Sequence, residues 1–196
     1  MKNALFASLC LIALTGCISA PVPSSSPGTQ IISRNSVLYQ GPELAATVSY
    51  LQGKNSVADE WLVLAVELTN PRGAGPLDLN RDDISVRTPD GRRLEIVDKQ
   101  EYFRNSARLQ IPVRRTLDFL PLLYLYQPSR SPCGRWFLET APQRIAFDEI
   151  QLSSTRTCSG PLVFEVPDGV QPGRWRLVFE LEESRPDIPF IIELEN

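Results

Sequence analysis

Most of the chemistry open to this 196-residue chain lies in four cysteines: Cys10, Cys17, Cys133 and Cys158. Histidine is absent, which excludes Ser-His-Asp and Cys-His catalysis and histidine-ligated metals. Carboxylates offer a second chemistry. Glu139 with Asp148, or Asp82 with Asp83, could supply an acid and a base for hydrolysis, but only if folding brings a pair into one cleft. No Gly-rich phosphate loop precedes a helix. The run Asp78-Leu79-Asn80-Arg81-Asp82-Asp83 opens like a calcium loop, with oxygen ligands at alternate positions. It breaks where the geometry is strictest, because Asp83 stands in place of the turn glycine and Pro89 in place of the bidentate glutamate. An acidic inter-strand turn accounts for it, and neither a metal nor another cofactor is expected.

Cys17 is the most informative of these residues. Residues 4–14 form a short apolar run behind Met1-Lys2-Asn3. The run is too short for a permanent transmembrane helix and has the layout of a secretory signal. It ends in Leu14-Thr15-Gly16-Cys17, which resembles the lipobox of bacterial lipoproteins. That resemblance implies cleavage before Cys17, a thioether-linked diacylglycerol on its sulfur and an acylated amine, usually palmitate. In Gram-negative lipoproteins an Asp after the cysteine retains the protein in the inner membrane. Ile18 at this place implies a cell-envelope protein held at the outer membrane, if the organism has one. Ordinary signal cleavage near Ser19-Ala20 is the competing expectation. Two or three chains anchor firmly where one does not.

With Cys10 removed in the signal and Cys17 lipidated, Cys133 and Cys158 remain, and in an exported protein such a pair reads as one disulfide. The alternative, a thiolate metal site, lacks histidines to complete it. Removing residues 1–16 takes away Lys2 and no acidic residue, moving the net charge from −3 to −4. A mildly acidic chain without a basic run argues against nucleic acid as a partner. The pairs Arg92-Arg93 and Arg114-Arg115 lie within apparent strands and read as solvated sheet face.

Three parts follow from composition: the signal (1–16), a lipidated cysteine with a Pro/Ser-rich linker (17–33), and one folded domain (34–196). Leu44, Ala46, Val48 and Tyr50 alternate with smaller or polar residues. Leu62, Leu64, Val66 and Leu68 alternate with Val63, Ala65 and Glu67, the pattern of a central strand apolar on nearly both faces. Ile84 and Val86 face Leu94 and Ile96 across a turn at Thr88-Pro89-Asp90-Gly91. Residues 145–152 and 162–166, the alternation through Trp175, Leu177 and Phe179, and that through Phe190, Ile192 and Leu194 read as further strands. No long helical periodicity stands out, although residues 57–61 and 101–109 could each hold a turn or two. Short strands with turn signals between them imply an all-β antiparallel sandwich.

Three stretches sharpen this expectation: Val66-Glu67-Leu68-Thr69-Asn70, Ile84-Ser85-Val86 ahead of Asp90-Gly91, and Gly160-Pro161-Leu162-Val163-Phe164-Glu165-Val166-Pro167. Together they resemble the core strands of bacterial telokin-like, immunoglobulin-like lipoprotein domains, over roughly residues 44–179. The resemblance implies an immunoglobulin-like fold and says almost nothing of function. Residues 117–157, which hold Cys133, depart from a minimal domain of that kind and read as an insertion.

Within that insertion, Leu117, Phe119, Leu122, Tyr124, Leu125 and Tyr126 form an apolar segment interrupted by Pro121. The proline argues against a central strand or an unbroken helix. The segment is either a buried crossover or an exposed face for a partner, lipid or apolar ligand. The leading functional expectation is a non-catalytic, membrane-tethered binding or structural module, held through its N-terminal lipid. The alternatives are an accessory or assembly subunit of an envelope machine, docking on a protein partner through residues 117–126, and a carboxylate-dependent hydrolase.

Overall fold

A computed structural model describes residues 28–52, 60–71, 73–123, 131–138 and 147–193. Cys17, Tyr124, Leu125, Tyr126 and Glu139 lie outside the described residues. The described chain is an all-β antiparallel sandwich, as expected, and it carries two helices over 99–123 that begin well before the expected insertion at 117–157. One sheet has six strands in the order β1 (Thr29–Ser33), β2 (Ser36–Gln40), β3 (Ala45–Ser49), β4 (Trp61–Thr69), β10 (Arg156–Glu165), β8 (Ser131–Pro132). Facing it is a four-stranded sheet, β12 (Asp187–Ile192), β11 (Gly173–Phe179), β6 (Ile84–Arg87), β7 (Arg93–Glu95). A two-stranded ladder joins β5 (Leu77–Asn80) to β9 (Glu149–Leu152). Pairing is antiparallel except where the short β8 runs parallel to β10.

The core follows from the period-2 alternation of the strands. Leu62, Leu64, Val66 and Leu68 of β4 face inward with Leu162 and Phe164 of β10, meeting Val86, Trp175, Leu177 and Phe179 of the opposite sheet. All nine residues of β4 are buried. Its other face, with Trp61 and Val63, packs beside Val163 under two helices, α1 (Lys99–Arg104) and α2 (Ser106–Leu123). A β-strand can be buried on both faces only where a third layer covers it. Here Val97, Tyr102, Leu109, Val113 and Leu138 form that layer.

Turn chemistry behaves as the residues dictate. Gly91 N–H donates to Thr88 O at 2.9 Å, and Gly91 takes φ +91°, so Thr88-Pro89-Asp90-Gly91 closes the β6–β7 hairpin. Thr88 Oγ1 accepts from Arg92 N at 2.9 Å, tying the turn to the next strand.

Four expectations are revised. The sheet begins at Thr29, inside the stretch expected to be linker, because β1 finds a ladder partner in β2 across the Arg34-Asn35 turn. Arg114 and Arg115 lie on α2 and not in a strand, while Arg93 does lie in β7. Residues 101–109, expected to hold a turn or two, belong to a much longer helical unit. Pro121 does not stop that unit, since α2 runs on to Leu123. A proline so near the C-terminal end removes one intrahelical bond, and the turns before it are already held by packing.

The missed helix has a physical reason. Leu109, Pro112, Val113 and Thr116 are buried and Leu117 is half-buried, at the 3.6-residue period of an amphipathic helix. That stripe includes a proline and a threonine, while the apolar Ile111 points outward, so hydropathy alone blurs the pattern. Pro112 also lacks the N–H that an interior helical position would donate. Thr116 Oγ1 donates to Pro112 O at 2.9 Å, and the sheet beneath supplies the packing that local propensity withholds.

Replacing Val66→Asp would place a carboxylate where the side chain is wholly buried between the two sheets. The expected loss of stability is several kcal/mol, roughly 3–5, and chemical denaturation of the exported protein would measure it.

Candidate functional site

The Cys133–Cys158 bond forms, with Cα atoms 4.7 Å apart at a sequence separation of 25. Cys158 is buried on β10, opposite Leu68 of β4. Cys133 is half-buried just after β8, and its N–H donates to Thr157 O at 2.9 Å. The bond therefore fastens the middle of residues 117–157 to the central ladder.

The segment after Cys133 is packed and not loose. Trp136 and Phe137 enter the main core, whereas Leu138 enters the helix-facing one. Trp136 Nε1 donates to Pro161 O at 2.8 Å. The indole lies directly against Gly160, where any Cβ would come within 2.1–2.4 Å of three of its atoms. Glycine is required at that strand position by close approach and not by backbone angle.

Arg81 is the residue that sequence reasoning missed. It belongs to a single 3-10 turn, Arg81–Asp83, between β5 and β6. Its side chain is buried, and its guanidinium donates to the carbonyls of Val97, Ile96 and Phe137. Its backbone N–H donates to Asp148 O at 2.8 Å. One side chain thus joins the end of the β7 segment, the approach to α1 and the segment after the disulfide. Burial pulls the Arg81 pKa below its ordinary value, and the nearby charges of Asp148, Asp98 and Asp82 oppose that shift.

Around Arg81 lies a polar cleft of about 510 Å³, lined by Asn80, Asp82, Asp98, Lys99, Gln100 and Asp148. Most of its polar groups already have partners. Asp98 caps α1, its Oδ1 accepting from Glu101 N at 2.8 Å. That bond is the main cause holding the Asp98 carboxyl below its ordinary pKa. Lys99 Nζ lies 2.8 Å from Asp148 Oδ2. Asp98 at the cap with Glu101 three residues on was a legible helix-start signal.

The acidic run 78–83, expected to be an inter-strand turn, is the end of β5 followed by the 3-10 turn Arg81–Asp83, and Asp78 and Asp83 use carboxylate oxygens within the fold. Asp83 Oδ2 accepts from Asn80 N at 2.8 Å and from Asn80 Nδ2 at 3.1 Å, and Asp78 Oδ1 accepts from Gln151 Nε2 at 2.8 Å. Among the described residues, no group of three or more His, Cys, Asp or Glu is placed to hold a metal ion. Asp82 lines the cleft while Asp83 caps its own turn, so these two carboxylates do different jobs.

The expected contact face begins on α2. Leu117 is half-buried and packs against both the helix-facing core and Ala65. Phe119 and Leu122 share the same helix, and their side chains lie outside the described set. Among the described residues, no helix is long and apolar enough to cross a membrane.

No protein-family model matches this chain, and no curated protein matches it. Among solved structures it is similar to the yjhA protein from Bacillus subtilis, at 12% identity. The similarity covers 81% of this chain and 96% of that one, with a TM-score of 0.39. At that distance no function is carried across.

The disulfide and the helix cap can each be tested. Alkylation of the exported protein without reductant should label neither Cys133 nor Cys158, and labelling of both would refute the bond. Replacing both by serine should cost roughly 3–4 kcal/mol in the chain-entropy account, read by chemical denaturation.

For Asp98, a depressed folded pKa contributes stability above the unfolded carboxylate range and loses it as pH falls through the folded value. Asp98→Ala should therefore lower the melting temperature at neutral pH. Its difference from the natural protein should shrink as pH falls below about 4. A pH-independent difference would mean that the charged cap is not what Asp98 contributes.

Proposed function

We propose that this chain is a lipid-anchored cell-envelope protein whose β-sandwich serves as a non-catalytic binding or structural module. The observation that carries this reading is Leu14-Thr15-Gly16-Cys17 at the end of a short apolar run, followed at once by a Pro/Ser-rich stretch. The first strand starts at Thr29, so few residues separate the acylated cysteine from the sheet. Such a tether reaches at most about 40 Å, which keeps the domain close to the membrane surface.

The site chemistry supports a module more than a hydrolase. Asp98 and Asp148 are engaged in a helix cap and an ion pair, and Asp83 is committed to its own turn. The resemblance to telokin-like, immunoglobulin-like lipoprotein domains accords with a sandwich of this size, and outer-membrane residence follows from Ile18 if the organism is Gram-negative.

Cys17→Ser should abolish incorporation of labelled fatty acid and leave the signal uncleaved. Intact-mass and N-terminal analysis of the full chain expressed in a bacterium would show this. A mature, unmodified N-terminus at another residue would overturn the anchor.

A further inference from the structure

The outward face of α2 is rich in arginine. Its inward residues, Leu109, Val113, Thr116 and Leu117, sit on the sheet. Arg108, Ile111, Arg114, Arg115 and Asp118 are exposed and face away from it. The whole chain has a net charge of −3, yet this face sets three arginines against one carboxylate. Arg108 reaches Glu60 at 3.0 Å in an exposed pair. Arg114 and Arg115 are adjacent, and among the described residues neither makes an ion pair. Adjacent helical residues project about 100° apart, so the two arginines offer separate cationic heads on the outward side, with the exposed Asp118 four and three residues on.

Ile111 sits among these charges, three or four residues from each arginine. It is 53% exposed, and Ile31 is the other exposed large hydrophobic residue among those described. An amphipathic helix with arginines flanking an outward apolar side chain suits a phospholipid surface. The guanidinium groups take phosphate oxygens while the apolar group enters the acyl boundary. A protein partner would need a wider desolvated centre, normally with aromatic anchors, and among the described residues this face offers a single large apolar side chain, Ile111.

We propose that the outward face of α2, with Arg114 and Arg115 as its phosphate-binding pair and Ile111 as its apolar contact, docks on an anionic phospholipid bilayer. The inference deepens the lipid-anchor reading, since a short tether holds the domain within reach of that surface. A basic patch is also the kind of second signal that turns marginal acyl anchoring into stable attachment.

The test uses the chain from Ile18 onward, secreted behind an ordinary signal so that it carries no lipid. Loss of the Cys17 reading would leave its outcome untouched. Sedimentation is measured with phosphatidylcholine vesicles containing about a third phosphatidylglycerol, and with phosphatidylcholine alone. Binding should need the anionic lipid and weaken as salt rises. R114Q/R115Q should reduce it about tenfold or more, with the melting temperature unchanged. I111S should weaken it further at high salt, where the apolar contact dominates.

The proposal fails if the protein ignores anionic vesicles at low salt, binds neutral vesicles equally, or binds equally well after R114Q/R115Q. It also fails if the arginines prove necessary only for an acidic protein. Should the double variant not fold, the lipid and salt dependence of the natural chain still decides.

Discussion

Everything in this domain is arranged around burying β4 on both faces. All nine of its residues are removed from water. One face needs the opposing sheet and the other needs a cover. An antiparallel sandwich supplies the first and leaves the outer side of each sheet wet. The chain supplies the second with α1 and α2, which place Tyr102, Leu109 and Val113 over Trp61 and Val63. The helical cover is therefore structural before it is anything else: without it, an indole and several aliphatic groups would face solvent.

A cover held only by packing could slide, and three kinds of bond pin this one. Arg81 gathers carbonyls from the residues just before α1 and from the segment after Cys133. The disulfide fastens the start of that segment to β10. Trp136 then docks against Gly160 and donates to Pro161 O. A buried arginine bonded to neutral carbonyls is costly to desolvate, and it persists because removing it would strand three acceptors. The polar cleft beside it reads as the solvated rim of this junction. The outer face of α2 is free of that structural duty, and there Arg108, Arg114 and Arg115 collect.

Many of the individual strands were legible, though not their order in the sheets. Alternation in residues 61–69 marked the central strand, and Pro89 with Gly91 marked the hairpin turn, because both signals are local. Leu64, Val66, Val86, Phe164, Leu177 and Phe179, each on the apolar side of its alternation, are all wholly buried. α2 escaped notice because its buried stripe includes Pro112 and Thr116. Those residues are acceptable on the sheet-facing side only because tertiary packing overrides their poor propensity. Arg81 escaped as well, since an arginine in an acidic turn looks solvated until distant carbonyls close around it.

By itself the sequence determined the features that need only neighbours along the chain. These are the signal-like apolar run ending in Cys17, the turns, the alternating strands and the lack of histidine chemistry. Cysteine count and export logic also singled out Cys133 and Cys158 as partners. Tertiary structure decided which side of α2 meets the sheet, and so which arginines remain outside. It decided that the acidic run is the end of β5 and a capped 3-10 turn, that Gly160 exists to admit an indole, and that Arg81 binds three separated segments. Those outcomes depend on groups far apart in sequence meeting at van der Waals or hydrogen-bond distance, which no local pattern encodes.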